Sequence, residues 1–360
     1  MSLLLPLALI GAYLIVDPRN ASAFEFAQAA VVDSGESVGY LMAPGARVDE
    51  VDLSSGEVLA TSTRGSKPLF LFGNVLLTQA DVHDQNERLR LVGLNSKDLR
   101  VTFETNVALP RDVPASIDDR LGASFYVSAR VDSGEIVVQW RSVRRRISGT
   151  PTNEPAHVTT GWAQIDPNDG RLTSSGVGEP PVRESREGAL PAIVRKLVDS
   201  GVLASQPCRV DDLLAAIEYG KDDGATTLRL RRWYRQTGES LPDVDLFGSE
   251  LTLRSFSADC RYLLASRAMD GWLWSIYSIT SGNRIAEVHM SLPASKFFIS
   301  KTSLIYVLPA VFGRVDGKLR LNQPRKLLAV DLNTGKELWS RPIRDTTYRG
   351  PFPGRLPNTF

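Results

Sequence analysis

The segment Leu328-Ala329-Val330-Asp331-Leu332-Asn333-Thr334-Gly335-Lys336-Glu337-Leu338-Trp339 decides how this chain is to be read. An apolar run ends at an Asp, polar residues follow, and a Gly precedes a second run that closes on Trp. That order predicts a tight hairpin. One strand stops, a polar pair makes a type I turn, and Gly takes the left-handed backbone before the next strand leaves. An Asp at the head can accept backbone N–H groups across the turn. The apolar residue two or three places after the Gly is expected to point back toward the core.

The unit recurs in Val51 to Leu59 (VDLSSGEVL), Ile165 to Leu172 (IDPNDGRL), Trp233 to Leu241 (WYRQTGESL) and Tyr277 to Ile285 (YSITSGNRI). Gly93 to Leu99 (GLNSKDL) is a degenerate copy, with Lys97 where the Gly is expected. Lys97 must then bear an unfavourable φ or sit in a different turn. The Gly-equivalent positions are 41 apart from 56 to 97, 44 from 238 to 282 and 53 from 282 to 335. Four-stranded repeats of about 40 to 50 residues have such a period. The longer intervals, 97 to 170 and 170 to 238, carry insertions. One is Arg144 to Thr160, rich in Pro, Thr, Asn and Ser. The other is Gly178 to Leu203, where Leu190, Ile193, Val194, Leu197 and Val198 fall at helical spacing and Gly201 stands where a C-cap belongs. Elsewhere the period is two, with short β-rich runs at Leu69 to Leu77, Ala123 to Val131, Arg261 to Ser266 and Ser303 to Leu308. The expected fold is all-β: a single β-propeller of four-stranded blades over residues 24–343, with one helical insertion. Six blades are counted, or seven if residues 178–225 hide a degenerate one.

Leu328 to Trp339 resembles the repeat of quinoprotein-type (PQQ-like) β-propellers. Ser255 to Ala265 (SFSADCRYLLA) is similar to the blade-opening segment of WD40-like propellers, with Cys260 where Gly is usual. The resemblance implies a fold, not an activity. It also implies that Trp339 packs between neighbouring blades. Quinone-dependent dehydrogenases of this look carry adjacent cysteines over the cofactor and Glu, Asn and Asp ligands for calcium. Here Cys208 and Cys260 are far apart, and six blades fall short of eight, so no bound quinone is expected.

Composition narrows the function classes. Lys plus Arg number 42 against 41 for Asp plus Glu, a balance unlike that of a protein built to grip nucleic acid or an acidic membrane. Three His and two Cys leave too few soft ligands for a zinc framework. Ser2 to Val16 is an uncharged, Leu-rich run, shorter than the roughly 20 residues that span a bilayer. Ala21-Ser22-Ala23 follows it with small residues suited to an export peptidase, so residues 1–23 read as a signal peptide. No Lys or Arg precedes the run, and a buried N-terminal element is the alternative. Export would make the chain periplasmic or secreted; an uncleaved leader would leave it cytoplasmic. In an oxidising compartment Cys208 and Cys260 either pair or stay as buried small hydrophobes.

The candidate chemistry is sparse. Gly35-Glu36-Ser37-Val38-Gly39 has nucleophile-elbow spacing, but its flanks read strand, turn, strand instead of strand to helix. His83, between Asp81 and Asp84, could serve as a base in a loop. Arg141, Arg144, Arg145 and Arg146 after Trp140, and Arg229, Arg231, Arg232 and Arg235 around Trp233 and Tyr234, could bind a polyanion. At strand spacing Arg229, Arg231 and Arg235 share one face, which reads more simply as a solvated strand surface. The segments Asp166 to Gly170 and Lys221 to Gly224 lack the alternate Asp and later Glu of a calcium loop. Residues 344–360 form a Pro-rich tail that either wraps the propeller or reaches a partner. The expected function is non-enzymatic: a binding or scaffolding propeller of the cell envelope, monomeric, holding a protein partner through blade loops. A propeller-type enzyme with a site at the channel mouth is the alternative.

Overall fold

The computed structural model describes residues 23–344 except 27–29, 34–36, 82–87, 112, 114, 119–122, 133, 145–156, 181–189, 204, 206, 223–224, 247–251, 258, 293–295 and 316–317. Among these, strands pair antiparallel, with their sequence neighbours except where β23 meets β26, to build five sheets of four strands, one of five where four were expected, and a separate two-stranded hairpin. Sheet 1 holds β1 (Ala23–Phe26), β2 (Ala30–Asp33), β3 (Val38–Ala43), β4 (Arg47–Asp52) and β5 (Val58–Ser62). Sheet 2 holds β6 (Lys67–Phe72), β7 (Val75–Gln79), β8 (Arg88–Asn95) and β9 (Val101–Ala108). Sheet 3 is built from β10 (Ala123–Asp132), β11 (Glu135–Arg144), β12 (His157–Ile165) and β13 (Leu172–Val177). After the helix α1 (Ala192–Asp199), sheet 4 has β14 (Cys208–Val210), β15 (Leu213–Asp222), β16 (Ala225–Tyr234) and β17 (Val244–Leu246). Sheet 5 has β18 (Thr252–Phe256), β19 (Tyr262–Met269), β20 (Gly271–Ser278) and β21 (Arg284–Met290). In sheet 6, β22 (Phe297–Ser300) and β23 (Ser303–Leu308) are separated from β26 (Lys326–Asp331) and β27 (Glu337–Pro342) by an extra hairpin, β24 (Val311–Val315) with β25 (Lys318–Gln323). Four-stranded antiparallel sheets in this order are propeller-like.

The repeated unit is the turn between the third and fourth strands, counted from β2 in the five-stranded sheet 1. In each sheet an N–H closes a bond to the carbonyl four residues earlier: Gly56 to Asp52, Leu99 to Asn95, Gly170 to Asp166, Gly238 to Tyr234, Gly282 to Ser278 and Gly335 to Asp331. Head carboxylates accept the following N–H groups, as Asp52 Oδ1 does from Ser54 and Ser55 and Asp331 Oδ1 from Asn333 and Thr334. These bonds hold the Asp52 carboxyl down at about 2, with the Ser54 hydroxyl the largest contributor. A second bond ties each such turn to the turn between the first two strands: Leu53 to Ser37, Ser96 to Asn74, Arg235 to Asp212, Ile279 to Arg261 and Leu332 to Thr302. In sheet 3 the donor position is Pro167, which has no N–H to give.

Two local expectations are corrected. The left-handed position of the degenerate copy is Leu99 (φ 53°), not Lys97. A left-handed non-Gly residue costs roughly 1–2 kcal/mol. Burying a Leu contributes about 1.5–3 kcal/mol, and Leu99 is buried in the cluster shared by sheets 1 and 2, so burial prevails. In five copies the apolar residue two or three places after the turn does not face the core: Leu59, Val101, Leu172, Ile285 and Leu338 are exposed, whereas Leu241 in sheet 4 packs against the cluster shared with sheet 5 as expected. A register shift just before the turn in sheets 1, 2, 3, 5 and 6 re-aims the strand, and in sheets 2 and 6 the fourth residue, Phe103 or Trp339, is the buried one. Leu69 to Leu77 is also two strands, β6 and β7, with Gly73-Asn74 at their turn. The helical reading of 178–203 shortens to α1, and Gly201 does take the left-handed position past its end. The β24–β25 hairpin was not foreseen.

Neighbouring sheets share apolar clusters at five junctions: sheets 1 and 2, 2 and 3, 4 and 5, 5 and 6, and 6 back onto 1. Closure centres on Trp339, whose indole N–H donates to the Leu53 carbonyl at 3.0 Å. Its ring lies so close over the left-handed Gly56 that a Cβ there would meet it at 2.5 Å. Sheet 3 sets Gly170 against Phe103 of sheet 2 in the same way. The face of sheet 4 turned away from sheet 5 is covered by α1, through Val194 against Leu214, Ala216 and Trp233. Cys208 of sheet 4 and Cys260 of sheet 5 are joined as a disulfide, Cα atoms 5.7 Å apart, and Cys260 has the positive φ (61°) that Gly would take.

Trp339→Ala is expected to cost about 3–5 kcal/mol in urea unfolding, with Trp339→Phe costing less. A loss under about 1 kcal/mol would mean that closure does not depend on this ring. Glu50, on the face of sheet 1 toward sheet 2, is 7% exposed, and its Oε2 has no hydrogen-bond partner. Burial, and after it Asp98, pushes its carboxyl above 4.5. The unfolded chain ionises this group first, so wild-type stability falls as pH rises from 4.5 through the folded value. Glu50→Gln is expected to raise Tm at pH 7, and the gain should vanish below pH 4.5.

Candidate functional site

Antiparallel order gives the ring two unlike ends. The turns between first and second and between third and fourth strands gather at one end, stitched by the backbone bonds above. The connections between second and third strands, and those from sheet to sheet, gather at the other. The stitched end is built of short turns. At the opposite end the second and third strands of sheet 2 stop at Gln79 and Arg88, those of sheet 3 at Arg144 and His157, and sheet 6 inserts β24–β25. In sheet 4, β15 and β16 run past their neighbours to Asp222 and Ala225.

At the stitched end, sheets 4 and 5 enclose a cleft of about 580 Å³ whose lining includes Asp211, Asp212, Tyr234, Asp243 and Asn283. Arg232 stands in its wall, buried, and donates to the carbonyls of Ile279, Thr280 and Pro242 at 3.0–3.2 Å. Burial lowers its pKa, against the opposing field of Asp243. Its guanidinium covers left-handed Gly282, where the other junctions put an apolar side chain. Arg232 therefore serves as a cross-sheet brace. The neighbouring arginines are engaged too: Arg229 with Asp245, and Arg231 with Glu218 and Asp243 and over the Trp233 ring. Their carboxylate partners support the strand-face reading over a polyanion patch.

At the loop-bearing end, Arg344 is 7% exposed and makes a bidentate pair with Asp118 (3.1 and 2.6 Å) and a second pair with Asp81 (2.6 Å). Burial opposes its charge, but the hydrogen bonds to Asp118 and Asp81 outweigh it and raise its pKa. Its N–H also donates to the Met42 carbonyl. Residues from sheets 1 and 2, the connection into sheet 3 and the end of sheet 6 thus converge on one side chain. Nothing in the sequence singled it out, because its partners lie 226 and 263 residues away.

His83, Arg145 and Arg146 lie outside the described residues, as do Gly35 and Glu36 of the elbow-like motif. Arg144 is exposed at the end of β11. The described strand ends that flank these segments, Gln79 and Arg88 in sheet 2 and Arg144 and His157 in sheet 3, lie at the loop-bearing end. Ser37 leads into the antiparallel β2–β3 pair, so the motif is not a strand-to-helix elbow. His157 and His289 belong to different sheets, 3 and 5. Among the described residues no three His, Cys, Asp or Glu side chains are grouped to hold a metal ion, and no helix is long and apolar enough to cross a membrane. Asp166 heads a hairpin turn.

No protein-family model matches the chain, and no curated protein matches it. Similar solved structures include the quinohemoprotein alcohol dehydrogenase of Comamonas testosteroni, 10% identical over 90% of this chain and 68% of that one, TM-score 0.27. Another is Kluyveromyces lactis Hsv2 with its complete loop 6CD, 11% identical over 88% and 98%, TM-score 0.40. A third is the β-propeller domain of Myceliophteria thermophila Cps50 (Swd1), 11% identical over 89% and 86%, TM-score 0.28. The resemblance is to quinoprotein-type and WD40-like propellers, and the sheet order itself carries the architecture.

Arg344→Met is expected to cost about 3–5 kcal/mol in chemical unfolding, because it leaves Asp81 and Asp118 facing each other without their cation. Adding Asp81→Asn and Asp118→Asn to Arg344→Met should recover a large part of that loss. Equal stability of the single and triple variants would contradict the role given to the arginine.

Proposed function

We propose that the chain is a six-bladed β-propeller of the cell envelope that holds a protein partner at its loop-bearing end and catalyses no reaction. The observation behind this is the asymmetry of the ends. The stitched end spends its polar groups on its own turns, whereas the opposite end carries the longer connections of sheets 2, 3 and 6 and the projecting β15–β16 hairpin of sheet 4. Connections of this kind carry recognition on a rigid scaffold. The Cys208–Cys260 pair supports an oxidising compartment, where such bonds persist. By the chain-entropy relation a bond closing this 52-residue separation contributes about 4 kcal/mol. The reading includes no resident quinone, since that bond bridges two sheets and the cysteines are not neighbours in sequence. It also takes the chain to be a monomer.

Two measurements test it. Intact mass of protein expressed with its leader, recovered without reductant, should show loss of residues 1–23 and a deficit of two hydrogens. A full-length, reduced chain in the cytosol would sink the envelope assignment. For the partner, in-cell crosslinking should yield an adduct that survives Asp211→Asn with Asp212→Asn at the stitched end. The adduct should disappear when residues 310–324 are replaced by a Gly-Ser link. The reverse pattern would move the site to the cleft between sheets 4 and 5.

A further inference from the structure

The cleft between sheets 4 and 5 has a lining whose charges do not balance. Its described residues, from segments 211–213, 232–244 and 280–283, include three carboxylates and one guanidinium. Asp211 and Asp212 stand on the turn between β14 and β15, and Asp243 just ahead of β17; all three are exposed. Arg232 directs its Nη groups at the carbonyls of Ile279, Thr280 and Pro242 and at none of these carboxylates. Of the cations just outside the lining, Arg231 is shared by Asp243 and Glu218, and Arg284 is paired with Glu287. The cleft therefore carries an excess of negative charge.

Two further features distinguish it from a patch of acidic surface. Where sheet 1, 3 or 6 meets its neighbour, an apolar ring or branched side chain fills the space over the left-handed Gly, as Trp339, Phe103 and Val288 do. Between sheets 4 and 5 Arg232 takes that place, and about 580 Å³ stays open beside it. Arg232 is only 5% exposed, yet its Nε has no hydrogen-bond partner. The wall of the cleft thus holds a buried donor without an acceptor, an arrangement that costs free energy until something supplies one. Next to it the lining adds the exposed Tyr234 ring and the half-buried Leu241 and Val244.

We propose that this cleft binds a lysine or arginine side chain presented by a peptide. The cation sits among Asp211, Asp212 and Asp243, where partial exclusion of water makes their attraction stronger than in bulk solvent. The methylene stem covers Leu241 and Val244, and the Tyr234 ring offers a further contact to the charge. The carbonyl beside that side chain gives Arg232 Nε the acceptor it lacks, which a free amine does not provide. A metal ion suits the cleft less well. Among the described residues no three His, Cys, Asp or Glu side chains are grouped to hold one, and a bare ion leaves the apolar wall unused. The site lies at the end opposite to the connection 310–324, so it is separate from the one proposed for a protein partner.

The test is titration calorimetry of the full chain with the capped peptides acetyl-Gly-Lys-Gly-amide and acetyl-Gly-Arg-Gly-amide. The norleucine peptide of the same form keeps the stem and carbonyls without the charge, and n-pentylammonium keeps the charge and stem without the carbonyls. Both basic peptides should bind saturably and severalfold tighter than pentylammonium, and the norleucine peptide should not bind. Asp211→Lys should weaken the basic peptides at least about tenfold. The turn accepts that residue, since Lys301 holds the same left-handed position in sheet 6 (φ 52° against 48° at Asp211). Ser281→Lys, on the exposed sheet 5 wall, brings a competing amine to the cleft without touching that turn and should have the same effect. Replacing residues 310–324 by a Gly-Ser link should leave the affinity unchanged. Equal binding of the norleucine peptide or of pentylammonium, unchanged affinity in both lysine variants, loss of binding with the 310–324 replacement, or no saturable binding would each overturn the assignment.

Discussion

The ring depends on one repeated contact: a side chain laid over a left-handed turn of the neighbouring sheet. Where the turn residue is Gly, that contact is closer than any Cβ would allow. Trp339 over Gly56 is the form on which closure rests, because it joins the last sheet to the first across 286 residues of sequence. Phe103 over Gly170 and Val288 over Gly335 repeat it with smaller areas. A sheet whose turn is held this way has its inclination to the next fixed by sterics. Apolar clusters at the junctions then add the non-directional part of the stability.

The two departures from the rule show its limits. At Gly282 the covering group is Arg232, a buried cation satisfied by three backbone carbonyls, so that junction trades dispersion for charge-assisted hydrogen bonds. At Gly238 the covering atoms belong to Pro191 and Ile193, and the inserted helix stands where a fourth strand would otherwise pack. Among the described residues, the face of sheet 3 turned from sheet 2 shares no apolar cluster with another sheet. At the other end the ionic closure at Arg344 holds Asp118, in the connection that leads into sheet 3.

Much of this was readable beforehand and part was not, for definable reasons. The Gly of the repeat was readable because only a residue without Cβ fits both the φ and the covering ring. Leu99 was not, since a left-handed Leu is tolerated only when its burial outweighs the backbone cost, and burial is a tertiary quantity. The exposure of Leu59, Ile285 and Leu338 was misjudged because register shifts of one residue invert which face a strand shows. The β24–β25 hairpin hid inside a 53-residue interval that seemed only a slightly long repeat. His83, Arg145 and Arg146 fall on residues the structure does not describe, so of that loop set it locates only Arg144, whereas the arginines around Trp233 are placed with their carboxylate and carbonyl partners.

By itself the sequence determined that the chain is β-built, that its unit is a hairpin with a fixed head and a left-handed residue, and that a helix interrupts the series. Those are local properties, set by backbone sterics and by period-two alternation within a few residues. The tertiary structure alone decided which sheets share a core, that α1 covers one face of sheet 4, that Cys208 meets Cys260, and that Arg344 gathers Asp81 and Asp118. Each of these joins groups tens to hundreds of residues apart. Their proximity is set by how closed repetition brings the sheets around, and no local pattern encodes that distance.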